Sequence, residues 1–334
     1  VRRGRRVVAI VGATGLVGSE IARQLFLRRF PLADLLLFSS GRTPETETTV
    51  GGVRYGIRPF SLEETQRSDI CFLAAGGWFS RTYAAEIASR GNTVIDNSSA
   101  FRMARDVPLV VPEVNPDDIG KHTGIIANPN CSTIQMVVVL APLSRHWRLR
   151  RVVVSTYQAV TGAGLRAAGE LAAGSCAVLE GESQQAEVFP HQMAFNLIPQ
   201  IDVFDREGWT REERKLMNET RKIMGDESID VTATAVRVPV FRSHSESVYA
   251  EFEQPVDADY ARRILREAPG VSVVDDPARG EYPMPVDAAG RPETFVGRLR
   301  GVPGCPKAMC MWIVSDNLLK GAALNAVQIA ERLP

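Results

Sequence analysis

Residues 6–18 read Arg6-Val7-Val8-Ala9-Ile10-Val11-Gly12-Ala13-Thr14-Gly15-Leu16-Val17-Gly18. The apolar run ending at Val11 predicts a buried strand. Ile21, Ala22, Leu25 and Phe26 then recur at helical spacing, so a helix is expected over 18–27. The three glycines between them let the backbone turn tightly and approach a phosphate, and a helix N-terminus offers its N–H groups to the anion. The spacing is GxxGxxG, a variant of the usual dinucleotide fingerprint. Its placement between a strand and a helix carries the reading, against the alternative of a glycine turn without ligand.

Working outward, short apolar runs at 35–38, 69–75 and 93–96 alternate with a helical pattern at 83–89. Strands this apolar are buried on both faces, as in a parallel sheet, and strand–helix alternation implies a doubly wound domain. The pattern changes near 128. A strand at 124–127 is followed by a helix at 133–140, a strand at 151–157, and helices at 163–179 and 210–224. Further β runs are expected at 230–240, 247–253 and 309–314, and a terminal helix at 318–333. The Pro- and Gly-rich stretch 281–304 reads as loops. The expectation is an α/β chain with two parts. A Rossmann-like dinucleotide-binding domain covers 1–127 and is completed by 315–334, and an α+β catalytic and dimerisation domain covers 128–314.

Lys+Arg and Asp+Glu both number 39, so formal net charge is zero. Nothing in that balance favours nucleic acid or an anionic membrane as partner, and no run has the apolar length of a membrane span. The basic start, Val1 to Arg6, lacks the apolar core and cleavage site of a secretory signal. It reads as a solvated terminus, trimmed or processed because it begins without Met. The cysteines (Cys71, Cys131, Cys176, Cys305 and Cys310) are odd in number and scattered, which argues against a disulfide framework. Cys71 reads as core. Cys305 and Cys310 lack the further ligands a zinc site needs. Free thiols suit a reducing cytoplasm, and no metal is expected.

The second strand bears on the choice of nicotinamide cofactor. An NAD site usually ends that strand with an acid for the ribose hydroxyls. Here it ends Phe38-Ser39-Ser40-Gly41-Arg42-Thr43, where Arg42 and the hydroxyls of Ser39 and Thr43 suit a 2′-phosphate. NADP is therefore expected, with a solvated loop Arg as the alternative.

Asn128-Pro129-Asn130-Cys131-Ser132-Thr133 places a thiol at a strand-to-helix turn. The positive end of a helix dipole stabilises thiolate, the species that attacks a carbonyl. A lone cysteine is more often a small buried hydrophobe, and this motif alone suits a thiol hydrolase equally. Beside a dinucleotide loop it points to covalent hydride-transfer chemistry on an aldehyde.

The segments GATGLVG, NPNCSTIQM, STYQAVTGAG, FNLIPQID, VRVPVFRSHSE and SDNLLKGAALNAVQIAE, in this order from end to end, resemble those of aspartate-semialdehyde dehydrogenases. The resemblance implies a homodimer that reduces aspartyl-β-phosphate to aspartate semialdehyde with NADPH and releases inorganic phosphate. That step serves the biosynthesis of lysine and diaminopimelate, threonine, methionine and isoleucine. It implies Cys131 as acyl-forming nucleophile, Gln158 as the residue orienting the thioester, and His244 as general acid/base. Arg237 would clamp the substrate α-carboxylate and Glu212 would hold its amino group. Arg102 and Lys215, with Ser99 and Asn130 nearby, would hold phosphate. Gly12, Thr14, Gly15, Leu16 and Val17 would cradle the dinucleotide, and Thr161, Gly162 and Asn317 would lie on its nicotinamide side.

The residue chemistry agrees: imidazole exchanges protons near neutrality, and Arg matches a carboxylate with a planar fork. Glu212 and Lys215, at i and i+3, have a plain surface ion pair as their alternative reading. The chain departs from the family's pattern at Ser243, where Gly is common, at Thr43-Pro44-Glu45, at Leu319, where a basic residue is usual, and at 301–309. Two rival readings are a sibling reductase, of N-acetyl-glutamyl phosphate or an acyl-CoA, and a silent paralogue that only binds.

Overall fold

The computed structural model describes residues 4–39, 46–183 and 186–334. The described residues fall into two compact units, one within 1–129 and 322–334 and one within 130–321.

In the first unit β1 (Arg6–Val11) leads into α1 (Leu16–Leu27), followed by β2 (Leu32–Ser39), β3 (Glu47–Val50), β4 (Val53–Pro59) and α2 (Leu62–Thr65). Then come β5 (Ile70–Leu73), α3 (Gly77–Ala88), β6 (Thr93–Asp96) and β7 (Ile125–Ala127). The sheet order is β3-β4-β2-β1-β5-β6-β7, parallel except for the antiparallel β3–β4 pair. After β2 on one side of β1, β5 pairs on the other. This reversal is the switch point at which doubly wound sheets open a ligand crevice.

The 12–18 loop sits there, and its glycines are sterically required. Gly12 has φ +87, and a Cβ on it would lie 2.6 Å from the Ala74 carbonyl oxygen. A Cβ on Gly18 would lie 2.1 Å from the Gly12 carbonyl oxygen, so α1 packs this closely only without a side chain. The terminal helix, Leu324–Glu331, belongs to this unit. Val327 and Ala330 join the core of Val8, Ile10, Ile21 and Leu25. Asn325 donates to the Val110 carbonyl and to Asn128 Oδ1, and Arg28 pairs with Glu331 at 2.6 Å.

The hairpin β3–β4 was not among the expected elements. Its signal is Gly51-Gly52, both with positive φ, the glycine pair that a two-residue hairpin turn favours.

The second unit opens with α4 (Cys131–Trp147) and β8 (Leu149–Gln158), then α5 (Leu165–Leu179), α6 (Arg211–Met224), β9 (Asp230–Arg237) and β10 (His244–Phe252). It continues through α7 (Ala258–Glu267), β11 (Val271–Val273), α8 (Pro285–Ala288), β12 (Thr294–Val302) and β13 (Cys305–Ser315). The mixed sheet runs β11-β12-β13-β10-β8-β9. Its core joins Val248, Ala250 and Phe252 of β10 to Met136, Val139, Leu140 and Leu143 of α4. Each unit therefore has the expected class, Rossmann-like first and α+β second.

One expectation fails here. The stretch 281–304 is not all loop, because residues 294–302 form β12, paired antiparallel with β13. The register breaks between Gly297 and Arg300, and Arg298 has φ +53. That irregularity, a bulge, disrupts the period-2 pattern by which a strand is recognised. Gly297 serves close approach, since a Cβ there would lie 2.1 Å from the Val274 carbonyl oxygen. The unassigned 301–309 stretch is the tip of this hairpin, where Val302 pairs with Cys305 across Pro303-Gly304. The terminal helical segment also differs from expectation, beginning as a π-helical turn at Leu319–Ala323. No helix among the described residues is long and apolar enough to cross a membrane.

Candidate active site

β8 and β9 run parallel and β10 runs antiparallel to β8. The last residue of β8, Gln158, pairs with the last residue of β9, Arg237. His244, the first residue of β10, pairs with Ser315, the last of β13. One end of the sheet therefore gathers Gln158, Arg237, His244 and the 315–317 segment. Gly162 marks their proximity: a Cβ there would lie 3.0 Å from Arg237 Nη1 and 3.4 Å from His244 Nε2.

Cys131 is the first residue of α4, two positions earlier than the expected helix start, and is half-buried. Asn130 caps that helix, its Oδ1 accepting from the N–H groups of Ser132 and Thr133 at 3.0 and 3.1 Å. Its side-chain nitrogen donates to Glu212 Oε1 at 2.8 Å, and its own N–H donates to Glu219 Oε2 at 2.7 Å. The turn holding the thiol is thus fixed from three directions. Gly321 completes the enclosure, because a Cβ there would lie 2.8 Å from Cys131 Cβ.

Helix α6 begins with a capping box, Thr210 with Glu213. Glu212, Lys215 and Glu219, at i, i+3 and i+7, share a stripe of it. Glu212 accepts from Gln158 Nε2 at 3.0 Å and from Lys215 Nζ at 2.9 Å. Lys215 also reaches Asp202 at 3.4 Å. Burial opposes the charge on Glu212, but Lys215, Gln158 and Asn130 together outweigh it and hold the carboxyl at about 2. The Glu212–Lys215 pair exists, yet Glu212 is buried, so it is no solvated surface pair. Gln158 is held at both ends, since Thr156 Oγ1 donates to its Oε1 at 3.1 Å.

His244 has no solvent exposure. Ala159 N–H donates to its Nδ1 at 2.9 Å, so the neutral ring carries its proton on Nε2, which has no hydrogen-bond partner among the described residues. Burial first, then the nearby Arg237 guanidinium, lower the imidazole from 6.5 to about 3, with Glu212 opposing. Between those values the unfolded chain binds a proton that the folded chain does not. Stability held above pH 6.5 is therefore lost as pH falls across this window. His244→Gln is expected to flatten the fall of the denaturant midpoint between pH 6.5 and 3. Equal slopes in both proteins would assign acid sensitivity elsewhere.

Arg237 donates to the Ala159 carbonyl at 2.7 Å. Burial lowers its pKa, while Glu212 and Cys131 counteract that fall. Thr161 and Asn317 meet, Asn317 Nδ2 donating to Thr161 Oγ1 at 3.1 Å. Asn317 Oδ1 accepts from the Ser243 N–H at 2.9 Å. Ser243 has φ +76, the left-handed region in which glycine is unstrained, which accounts physically for the family's preference. Leu319 is 1% exposed, so the apolar departure there is buried.

In the first unit no side chain caps the N-terminus of α1, and the glycine loop leaves no room for a Cβ at Gly12 or Gly18. Both features suit a pyrophosphate, which takes hydrogen bonds from first-turn N–H groups. Gly12 and Ala13 N–H groups donate to the Phe38 carbonyl, which ties the loop holding Thr14, Gly15, Leu16 and Val17 to the buried Ser39 at the end of β2. Arg42 and Thr43 lie outside the described residues. Arg102 donates through Nε to the Asn128 carbonyl and through Nη2 to the Asn97 carbonyl, and Ser99 is exposed. These two belong to the first unit, whereas Cys131, Gln158, Glu212, Lys215, Arg237 and His244 belong to the second.

Sequence reasoning missed Glu219, Asp202 and Gly321. Glu219 alone had a readable signal, one helical repeat beyond Glu212. The other two act through tertiary contacts.

Residues 7–122 match the semialdehyde dehydrogenase NAD-binding domain, and 140–320 match the semialdehyde dehydrogenase dimerisation domain. The aspartate-semialdehyde dehydrogenase of Aquifex aeolicus (strain VF5) is 52% identical, with 98% of this chain and 97% of that protein covered. That of Bacillus subtilis (strain 168) is 48% identical, covering 98% and 96%. The crystal structure of aspartate semialdehyde dehydrogenase II from Vibrio cholerae complexed with ASA superposes with a TM-score of 0.95. It is 41% identical over 99% of this chain and 98% of that one. The chain belongs to the semialdehyde dehydrogenase family.

Proposed function

We propose that this oxidoreductase carries out NADPH-dependent reductive dephosphorylation of aspartyl-β-phosphate to aspartate semialdehyde. The observation that carries the reading is the convergence of Gln158, Glu212, Arg237 and His244 within the unit whose α4 begins at Cys131. The relatives' names supply the substrate, and the full Gln158–Arg237–His244–Lys215 set disfavours a sibling reductase or a silent paralogue.

Cys131 thiolate, stabilised by the N-terminus of α4 and the Arg237 charge, attacks the acyl phosphate. The C–S bond forms, the C–O bond to phosphate breaks, and a thioester results. We assign the charge of the departing phosphate to Arg102 and Lys215, with Ser99 and Asn130 as further phosphate ligands. When bound, NADPH supplies the hydride for reduction of the thioester; the resulting oxyanion then collapses, the C–S bond breaks, and the semialdehyde leaves with Cys131 returned as thiolate. Gln158, clamped by Thr156 and Glu212, orients the acyl group. His244 holds its Nε2 proton toward the oxyanion of the tetrahedral intermediates. To take up a second proton at Nδ1 it must surrender the Ala159 N–H bond, so donation is its resting role. Arg237 grips the α-carboxylate and Glu212 the ammonium of the substrate.

Gly12, Thr14, Gly15, Leu16 and Val17 would hold the dinucleotide, and Thr161, Gly162 and Asn317 would serve its nicotinamide. The match of 140–320 to a dimerisation domain supports a homodimer. A nucleophilic thiol suits the reducing cytoplasm. The decisive assay is reduction of NADP⁺ by aspartate semialdehyde, with and without inorganic phosphate. Turnover that does not need phosphate would refute the acyl-phosphate product.

Arg42 and the absence of an acid at the end of β2 favour the 2′-phosphate. Arg42→Ala is expected to lower kcat/KM with NADP⁺ about tenfold and to leave that with NAD⁺ near its native value, as loss of one charge-assisted contact implies. Parallel losses with both cofactors would remove Arg42 from the phosphate site.

A further inference from the structure

Glu246 has no solvent exposure, and neither of its carboxyl oxygens has a hydrogen-bond partner among the described residues. It lies on β10 two residues after His244. Residues two apart on a strand share a face, and Val248, Ala250 and Phe252 carry that same face into the core with α4. The polar neighbour of Glu246 is Gln135 of α4, itself 1% exposed and with an unpartnered Nε2. Gln135 is four residues after Cys131, hence on the same helix face one turn along. An acid and an amide thus meet one strand step from His244 and one helical turn from Cys131.

An apolar pair fills such a space more cheaply than an unsatisfied acid, so packing alone does not account for Glu246. Burial pushes its carboxyl well above the usual carboxylate range, with Gln135 opposing. A neutral acid presents one O–H and one carbonyl oxygen, the complement of a side-chain amide.

We propose that Glu246 and Gln135 are positioning residues, an acid–amide latch that ties α4, one turn after Cys131, to the start of β10 and sets Cys131 against His244. The latch touches neither substrate nor cofactor, and its role rests on the reading of Cys131 and His244 as the reacting pair. Methionine matches the length of both side chains without their polar groups, so E246M and Q135M keep the packing and remove the latch.

The test compares the native enzyme with E246M, Q135M, their combination and the reciprocal swap E246Q/Q135E. It measures kcat, KM, Tm and the rate of Cys131 alkylation by iodoacetamide. E246M is expected to lose about tenfold or more in kcat with KM nearly unchanged, because misplaced reacting groups lower the rate at that scale. Its Tm should fall modestly, since the buried Gln135 amide is left without its partner, and the combined variant, with neither polar group, should recover that loss. The combined variant should be no worse than either single one, the signature of a shared interaction. The swap restores an acid and an amide, and kcat should return to within about threefold of native. Native kcat in E246M, or losses that multiply in the combined variant, overturns the latch. Should E246M not fold, the swap decides alone, and a swap as impaired as Q135M overturns the proposal. If the native enzyme proves inactive on the semialdehyde, the functional reading fails. Alkylation of Cys131 still tests the latch, which predicts at least about a threefold change in E246M through displacement of the thiol; equal rates overturn it.

Discussion

Cys131→Ala is expected to lower kcat for phosphate-dependent oxidation of aspartate semialdehyde by on the order of 10⁴-fold or more, the scale of losing a covalent nucleophile. No neighbouring group substitutes for it. His244 is buried with its lone-pair nitrogen bonded to Ala159 N–H, and the hydroxyl of Ser132, the next residue, is wholly buried. The fold should be untouched. Cys131 is only half-buried, the Asn130 cap makes its bonds to Ser132 and Thr133 through the backbone, and alanine is a good helix former. Dinucleotide binding, which we assign to the 12–18 loop, should also persist. The measurement pairs steady-state rates with thermal melting and NADP⁺ titration of the variant. Residual turnover above about one hundredth of native would mean that the thioester is not obligatory. Loss of folding together with activity would make the cysteine a packing residue instead.

The loop at 12–18 was legible because its requirements are local. Gly12 must take positive φ and Gly18 must admit a neighbouring backbone, and both leave glycine at fixed offsets. Cys131 was legible for a similar reason, since a thiol after Asn130 at a strand-to-helix turn advertises a helix N-terminus. β12 was not legible, because its bulge at 297–300 interrupts alternation. Nor was the π-helical turn at 319–323, where four of the five residues are good α-helix formers. Gly321 of that turn packs closely against Cys131, ten strand and helix elements away in sequence. Glu219, Asp202 and Glu246 are ordinary acids by composition. Only the fold shows that Glu219 holds the Asn130 N–H and that Glu246 has no exposure. Ser243 lies between these cases. The departure from glycine was readable, but its φ of +76 and its bond to Asn317 belong to the structure.

Arg237→Lys should lower kcat/KM for aspartate semialdehyde by about a hundredfold, the cost of misplacing a reacting carbon by roughly 1 Å. Arg237 ends β9 beside Gln158, is 6% exposed, and spends Nη1 on the Ala159 carbonyl. That bond orients the guanidinium, leaving the rest of its fork to grip a carboxylate in a fixed plane. Lysine keeps the charge and loses the plane. It also carries a single nitrogen, which must serve either Ala159 or the substrate. Ala159 in turn supplies the N–H that sets the His244 ring, so the substitution reaches both recognition and the proton donor. These contributions separate by substrate. A simple aldehyde without an α-carboxylate makes no demand on the fork, and its turnover reports only the disturbance at Ala159 and His244. Steady-state kinetics with both substrates, beside iodoacetamide labelling of Cys131, should therefore show a large loss for aspartate semialdehyde, a small one for the simple aldehyde, and unchanged labelling. Equal losses with both aldehydes would make Arg237 a support for the His244 strand end, with the carboxylate held elsewhere. A silent substitution would remove the α-carboxylate from the recognised substrate, and with it the assignment of aspartate semialdehyde.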